Sequence, residues 1–97
     1  MDLERVKALG LEVYSAEWCP DCRRLERWLR EQGVPHVTVD IERVPGAAER
    51  LERETGKRAI PFLLVDGKAW VRGYHRECPG GFDGERLVRE LLEAARG

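Results

Sequence analysis

The 97-residue chain has no asparagine, a single glutamine (Gln32) and three cysteines. An odd cysteine count argues against a secreted disulfide scaffold, whose thiols pair, and points to a reducing cytoplasm. A basic-then-apolar leader is missing, and no apolar run approaches the ~20 residues of a membrane span, so neither export nor a membrane location is expected. An excess of one charge is missing too. Lys+Arg 17 against Asp+Glu 18 leaves a net charge of −1, which removes the bulk-charge argument for nucleic acid or a membrane surface as partner. There is no internal repeat and no low-complexity tract. The length suits one domain over residues 1–97 with a modest core and leaves no room for a second.

What is abundant is mixed charge, 36% of residues, which suits a soluble surface laced with ion pairs. Arginine far outnumbers lysine. Together with the scarcity of side-chain amides, this fits a thermophilic source and equally a GC-rich genome.

The most informative residues are Cys19-Pro20-Asp21-Cys22, placed where a short apolar run, Leu11 to Ser15, gives way to an amphipathic helical pattern. A helix start offers unpaired N–H groups and a partial positive charge. That environment favours the thiolate of the first cysteine, the form that attacks a disulfide. Pro20 suits the first helical position because its φ is fixed and it has no N–H to satisfy. Two thiols at this spacing between strand and helix read as a dithiol–disulfide exchanger. Asp21 opposes part of the helix-end effect by its negative charge, and Arg23 and Arg24 either counter it or are solvated helix surface. A competing reading is a zinc module, because Cys19, Cys22, His75 and Cys78 supply four zinc ligands in two paired spacings.

Hydrophobic spacing predicts the remaining elements. Leu3, Val6 and Leu9 recur at helical spacing in residues 1–10, which are too short to hold a helix alone and read as an N-terminal extension. Leu25, Trp28 and Leu29 define the apolar face of a helix from Pro20 to Gln32, stopped by Gly33. Residues 34–40 alternate as a strand, and Pro45 to Thr55 reads as a helix ended by Gly56. Pro61 to Val65 and Lys68 to Arg72 flank an Asp66-Gly67 hairpin turn. Asp83 can cap a last helix with Leu87, Val88, Leu91 and Leu92 on its apolar face. The first two strands, joined by a helix, should be parallel, and the last two form an antiparallel hairpin. The fold class is therefore α/β, a mixed four-stranded sheet flanked by about three helices, with the dithiol at the sheet edge where such folds host their sites.

This order of elements, Tyr14 through Cys22 and the Ala59-Ile60-Pro61 segment together resemble the glutaredoxin branch of the thioredoxin superfamily, from Leu11 to the C-terminus. Residues 40–48 and Trp70-Val71-Arg72-Gly73-Tyr74 are similar to the redoxins that reduce ribonucleotide reductase and are recharged by thioredoxin reductase. The resemblance implies a thioredoxin-like fold and reduction of disulfide-containing proteins by Cys19 as nucleophile and Cys22 as resolving thiol. It also implies a cis Pro61 lying against the dithiol; on spacing alone Pro61 reads as an edge-strand starter. Trp18, Pro20, Arg58, Ile60, Pro61, Gly73 and Tyr74 are the candidate substrate-contacting residues. Trp18 either shields the thiols or packs on the helix, Arg58 either takes a substrate carboxylate or is an exposed turn residue, and Trp70, Gly73 and Tyr74 form a candidate flat docking patch. No cofactor is expected, and the chain reads as a monomer. The electron donor is a thioredoxin reductase or a low-molecular-weight thiol such as glutathione. Glutathione-using relatives carry a Gly-Gly pair and an acid after the fourth strand, where this chain reads Gly73-Tyr74. A Gly80-Gly81-Phe82-Asp83 string comes later, too far from Pro61 unless residues 74–79 loop out, so the missing pair at Gly73-Tyr74 favours the reductase.

Overall fold

The computed structural model describes residues 2–75 and 82–96. Eight elements follow one another: α1 (Leu3–Lys7), β1 (Leu11–Ser15), α2 (Pro20–Glu31), β2 (Val37–Asp40), α3 (Ala47–Thr55), β3 (Phe62–Val65), β4 (Ala69–Arg72) and α4 (Gly84–Ala95). The sheet order is β2-β1-β3-β4. β1 pairs in parallel with β2, Glu12 opposite Val37, and antiparallel with β3, Leu11 opposite Val65; β3 pairs antiparallel with β4. The parallel β1–β2 pair and the antiparallel β3–β4 hairpin are those expected, the antiparallel seating of β3 on β1 is added by the structure, and the architecture is the thioredoxin-like one that the resemblance implies.

Alternation along β1 divides the core into two layers. Leu11 and Val13 face a cluster containing Leu25 and Leu29 of α2, Leu63, Val65 and Val71 of the sheet, and Leu87, Val88 and Leu91 of α4. Tyr14 faces the other way, onto Val39, Phe62, Leu64 and the short apolar face of α3, Ala47 and Leu51. The helices therefore cover both faces of the sheet.

Several boundaries differ from the expected ones, the starts of β2, α3 and β3 among them. β2 starts at Val37 rather than Val34, because the Val34 N–H is spent on the Leu29 carbonyl (2.8 Å) and Pro35 has none to give to the ladder. α3 starts at Ala47, since Gly46 sits at φ 81° outside the helix. β3 starts after Pro61. The expected hairpin turn carries positive φ at both Asp66 (52°) and Gly67 (68°), as a two-residue loop requires. Four helices stand where about three were expected. The fourth is α1, whose Val6 is fully buried in the first core layer and which packs against α4.

Candidate active site

Local chemistry builds the start of α2. Cys19 is its N-cap, with extended backbone angles, and Pro20 takes the first helical position. The side chain of Cys19 occupies the place of a capping oxygen, since its Sγ accepts the Cys22 N–H at 3.2 Å. The Cα atoms of Cys19 and Cys22 lie 5.3 Å apart and their sulfurs are at disulfide distance. Both are buried, Cys19 at 4% and Cys22 at 1% exposure, so the difference in solvent access expected between them is small. Ala16, Ile41 and Ile60 enclose the pair.

The Ile60–Pro61 bond is cis, as the resemblance implies. Ile60, Pro61 and Tyr74 line a cleft of about 340 Å³ together with Asp21, Lys57, Ala59, Phe62 and Arg72. Arg58 does not line it. Its guanidinium instead pairs with Glu52 at 3.2 Å, and the cations in the cleft are Lys57 and Arg72, which sequence reasoning missed. Gly73 is buried and donates its N–H to the Pro61 carbonyl (3.0 Å). A Cβ there would lie 2.6 Å from Leu25 Cδ2 and 3.1 Å from Pro61 Cγ, so Gly73 is where the chain passes closely under Pro61.

Trp18 is 62% exposed next to Cys19, and Val44 in the loop after β2 is 44% exposed. Most of the Trp18 side chain therefore faces solvent. Two contacts fasten its loop: the Glu17 carboxylate pairs with Arg43 at 2.7 Å, and the Glu17 carbonyl accepts from Arg23. Of the candidate docking patch of Trp70, Gly73 and Tyr74, the indole of Trp70 is engaged within the fold. Trp70 packs edge-on against Tyr14 and Phe62, and its Nε1–H donates to Glu54 Oε1 at 2.9 Å. That bond, with a second from Arg50, holds the Glu54 carboxyl below its ordinary range.

The zinc alternative gains no geometry. Among the described residues no group of three or more His, Cys, Asp or Glu side chains could hold a metal. His75 turns its Nε2 to Glu90 of α4 at 3.1 Å, and Cys78 and the Gly80-Gly81 pair lie outside the described residues. Asp83 accepts the Arg86 N–H as the N-cap of α4. Among the described residues no helix is long and apolar enough to cross a membrane.

Known proteins similar to this chain are glutaredoxins and thioredoxin-like proteins. A family model described as glutaredoxin matches residues 11–70. Glutaredoxin 3 of Escherichia coli is 26% identical over 78 residues, covering 76% of this chain and 93% of its own. The glutaredoxin-like protein NrdH of Escherichia coli is 27% identical over 62 residues, 64% of this chain and 75% of its own. The crystal structure of a thioredoxin-like protein superposes with a TM-score of 0.64 at 26% identity, covering 88% of this chain and 96% of that one.

Proposed function

The chain belongs to the glutaredoxin family, and from that premise we propose that it reduces protein disulfides by a dithiol mechanism in which Cys19 attacks and Cys22 resolves. As a member of that family it is a thiol–disulfide oxidoreductase. The observation that carries the assignment of roles is the Cys22 N–H aimed at Cys19 Sγ at the helix start. A charge-assisted hydrogen bond and the helix end both favour the thiolate on Cys19 over that on Cys22.

The Cys19 thiolate attacks one sulfur of the substrate disulfide, and the other sulfur leaves as a thiolate and takes a proton. Cys22 then attacks Cys19 Sγ in the mixed disulfide, loses its own proton and expels the second substrate thiol. Two electrons pass to the substrate and leave the Cys19–Cys22 disulfide. Trp18 and Val44 supply exposed apolar surface suited to a protein partner, while Ile60, which packs against the thiols, also lines the cleft with Pro61 and Tyr74. A flavoprotein thioredoxin reductase recharges the disulfide in preference to glutathione, in a reducing cytoplasm where a dithiol of this kind is kept competent.

Replacing Cys22 with Ser should trap a mixed disulfide on Cys19, visible as a covalent adduct by intact mass, while Cys19→Ser forms none. Adducts on Cys19→Ser alone would reverse the roles.

A further inference from the structure

A second cleft, of about 360 Å³, opens against Cys22 and is lined by Ser15, Glu17, Arg23, Glu26, Thr38 and Asp40. Cys22 must shed a proton to attack, yet it is 1% exposed, and burial disfavours the thiolate it has to form. The buried thiol therefore needs a nearby base. Glu26 lies one helical turn beyond Cys22, on the same face of α2. Its Oε1 accepts from Thr38 Oγ1 at 3.0 Å and from the buried Ser15 Oγ at 3.4 Å, which hold the carboxylate over the cleft.

The other acids there are committed elsewhere. The Glu17 carboxylate pairs with Arg43 at 2.7 Å. Asp40 accepts the Glu42 N–H at 2.8 Å and faces Arg43 at 3.8 Å. Arg23, the cation of the cleft, is turned to the Glu17 carbonyl. Protonating Glu17 or Asp40 breaks an ion pair. Protonating Glu26 does not, because the Ser15 and Thr38 hydroxyls can still donate to a carboxylic acid. We propose that the Glu26 carboxylate is the proton acceptor for the Cys22 thiol in the resolving step. The Cys22 S–H proton passes to Glu26 across the cleft as the Cys22–Cys19 bond forms. The Cys19–substrate bond breaks with its electron pair on the substrate sulfur, and Glu26 afterwards returns its proton to solvent.

The proposal rests on Cys22 being the resolving thiol, and an aromatic disulfide that releases a coloured thiolate separates the two ideas. With such a substrate the reduced protein gives two phases in stopped flow, the first from attack by Cys19 and the second from resolution. Glu26→Gln should leave the first phase unchanged and slow the second roughly 100-fold. The second phase should also become proportional to hydroxide across neutral pH, where the native protein is flat, and Glu26→Asp should restore part of the rate. Thr38→Val keeps the carboxylate but removes its closer anchor, and should slow the second phase alone. A second phase of native speed and pH profile in Glu26→Gln, or equal slowing of both phases, overturns the role of Glu26. If instead Cys22→Ser keeps a native second phase, it is the assignment of Cys22 that fails.

Discussion

Single residues in this site divide by whether their role is decided locally. The helix start at the dithiol and Pro20 at the first helical position were legible in the sequence, because proline stereochemistry acts within a few residues, and the structure adds Cys19 as the N-cap. Gly73 was not. Its flanking aromatics suggested a docking surface, whereas its role is set by side chains from α2 and from the loop before β3, far away in sequence. Leu25, the neighbour its absent Cβ would strike, is fully buried and has little room to retreat. Gly73→Ala should therefore destabilise the protein by about 1–3 kcal/mol, the usual cost of overpacking a filled core. A urea unfolding midpoint equal to that of the native protein would contradict this reading. The same distance in sequence hid Glu26: the spacing of four from Cys22 was readable, but its anchoring by Ser15 and Thr38 on two other elements was not.

At the scale of elements, helix faces and the hairpin were readable because their periods are intrinsic, and the pairing of α3 with β4 was not. Trp70 joins the two through its indole bond to Glu54, which Arg50 also holds at 2.9 Å. The Glu54 carboxyl is held below its ordinary value of 4.5 first by the Trp70 hydrogen bond and then by that from Arg50. A depressed carboxyl stabilises the folded form above its unfolded-state value, and that contribution disappears as pH falls through the folded value. Glu54→Gln should therefore narrow the gap in unfolding midpoint to the native protein as pH drops below about 4.5, with the largest gap at neutral pH. A gap that stays constant from neutral to acid conditions would show that the carboxylate charge plays no part in clasping α3 to β4.

For the whole molecule, the parallel β1-α2-β2 unit and the antiparallel hairpin followed from connection lengths and handedness and were legible, whereas the antiparallel seating of β3 on β1 that joins them was not. The docking of α1 was not, because a five-residue helix has no stability of its own and exists only through Val6 in the core. The choice of electron donor belongs to this scale as well, since it depends on how charge and apolar surface are distributed around the dithiol. Glutathione brings two carboxylates and one ammonium, and each polar group buried without a partner costs affinity. Lys57 and Arg72 could take a carboxylate in the cleft beside Pro61, but Asp21 lines that cleft too and opposes an anionic thiol. Asp83, the acid that follows the Gly80-Gly81 pair, is engaged as the cap of α4. Trp18 and Val44 expose apolar surface that a tripeptide does not need and a reductase surface can cover. The oxidised protein should accordingly turn over with NADPH and a flavoprotein thioredoxin reductase, followed as loss of NADPH absorbance. Trp18→Ala should raise the KM for that enzyme several-fold while leaving reduction by a small dithiol unchanged. Rapid reduction by glutathione, with no turnover by the reductase, would assign the donor to the small thiols and give the Lys57–Arg72 cleft the binding role.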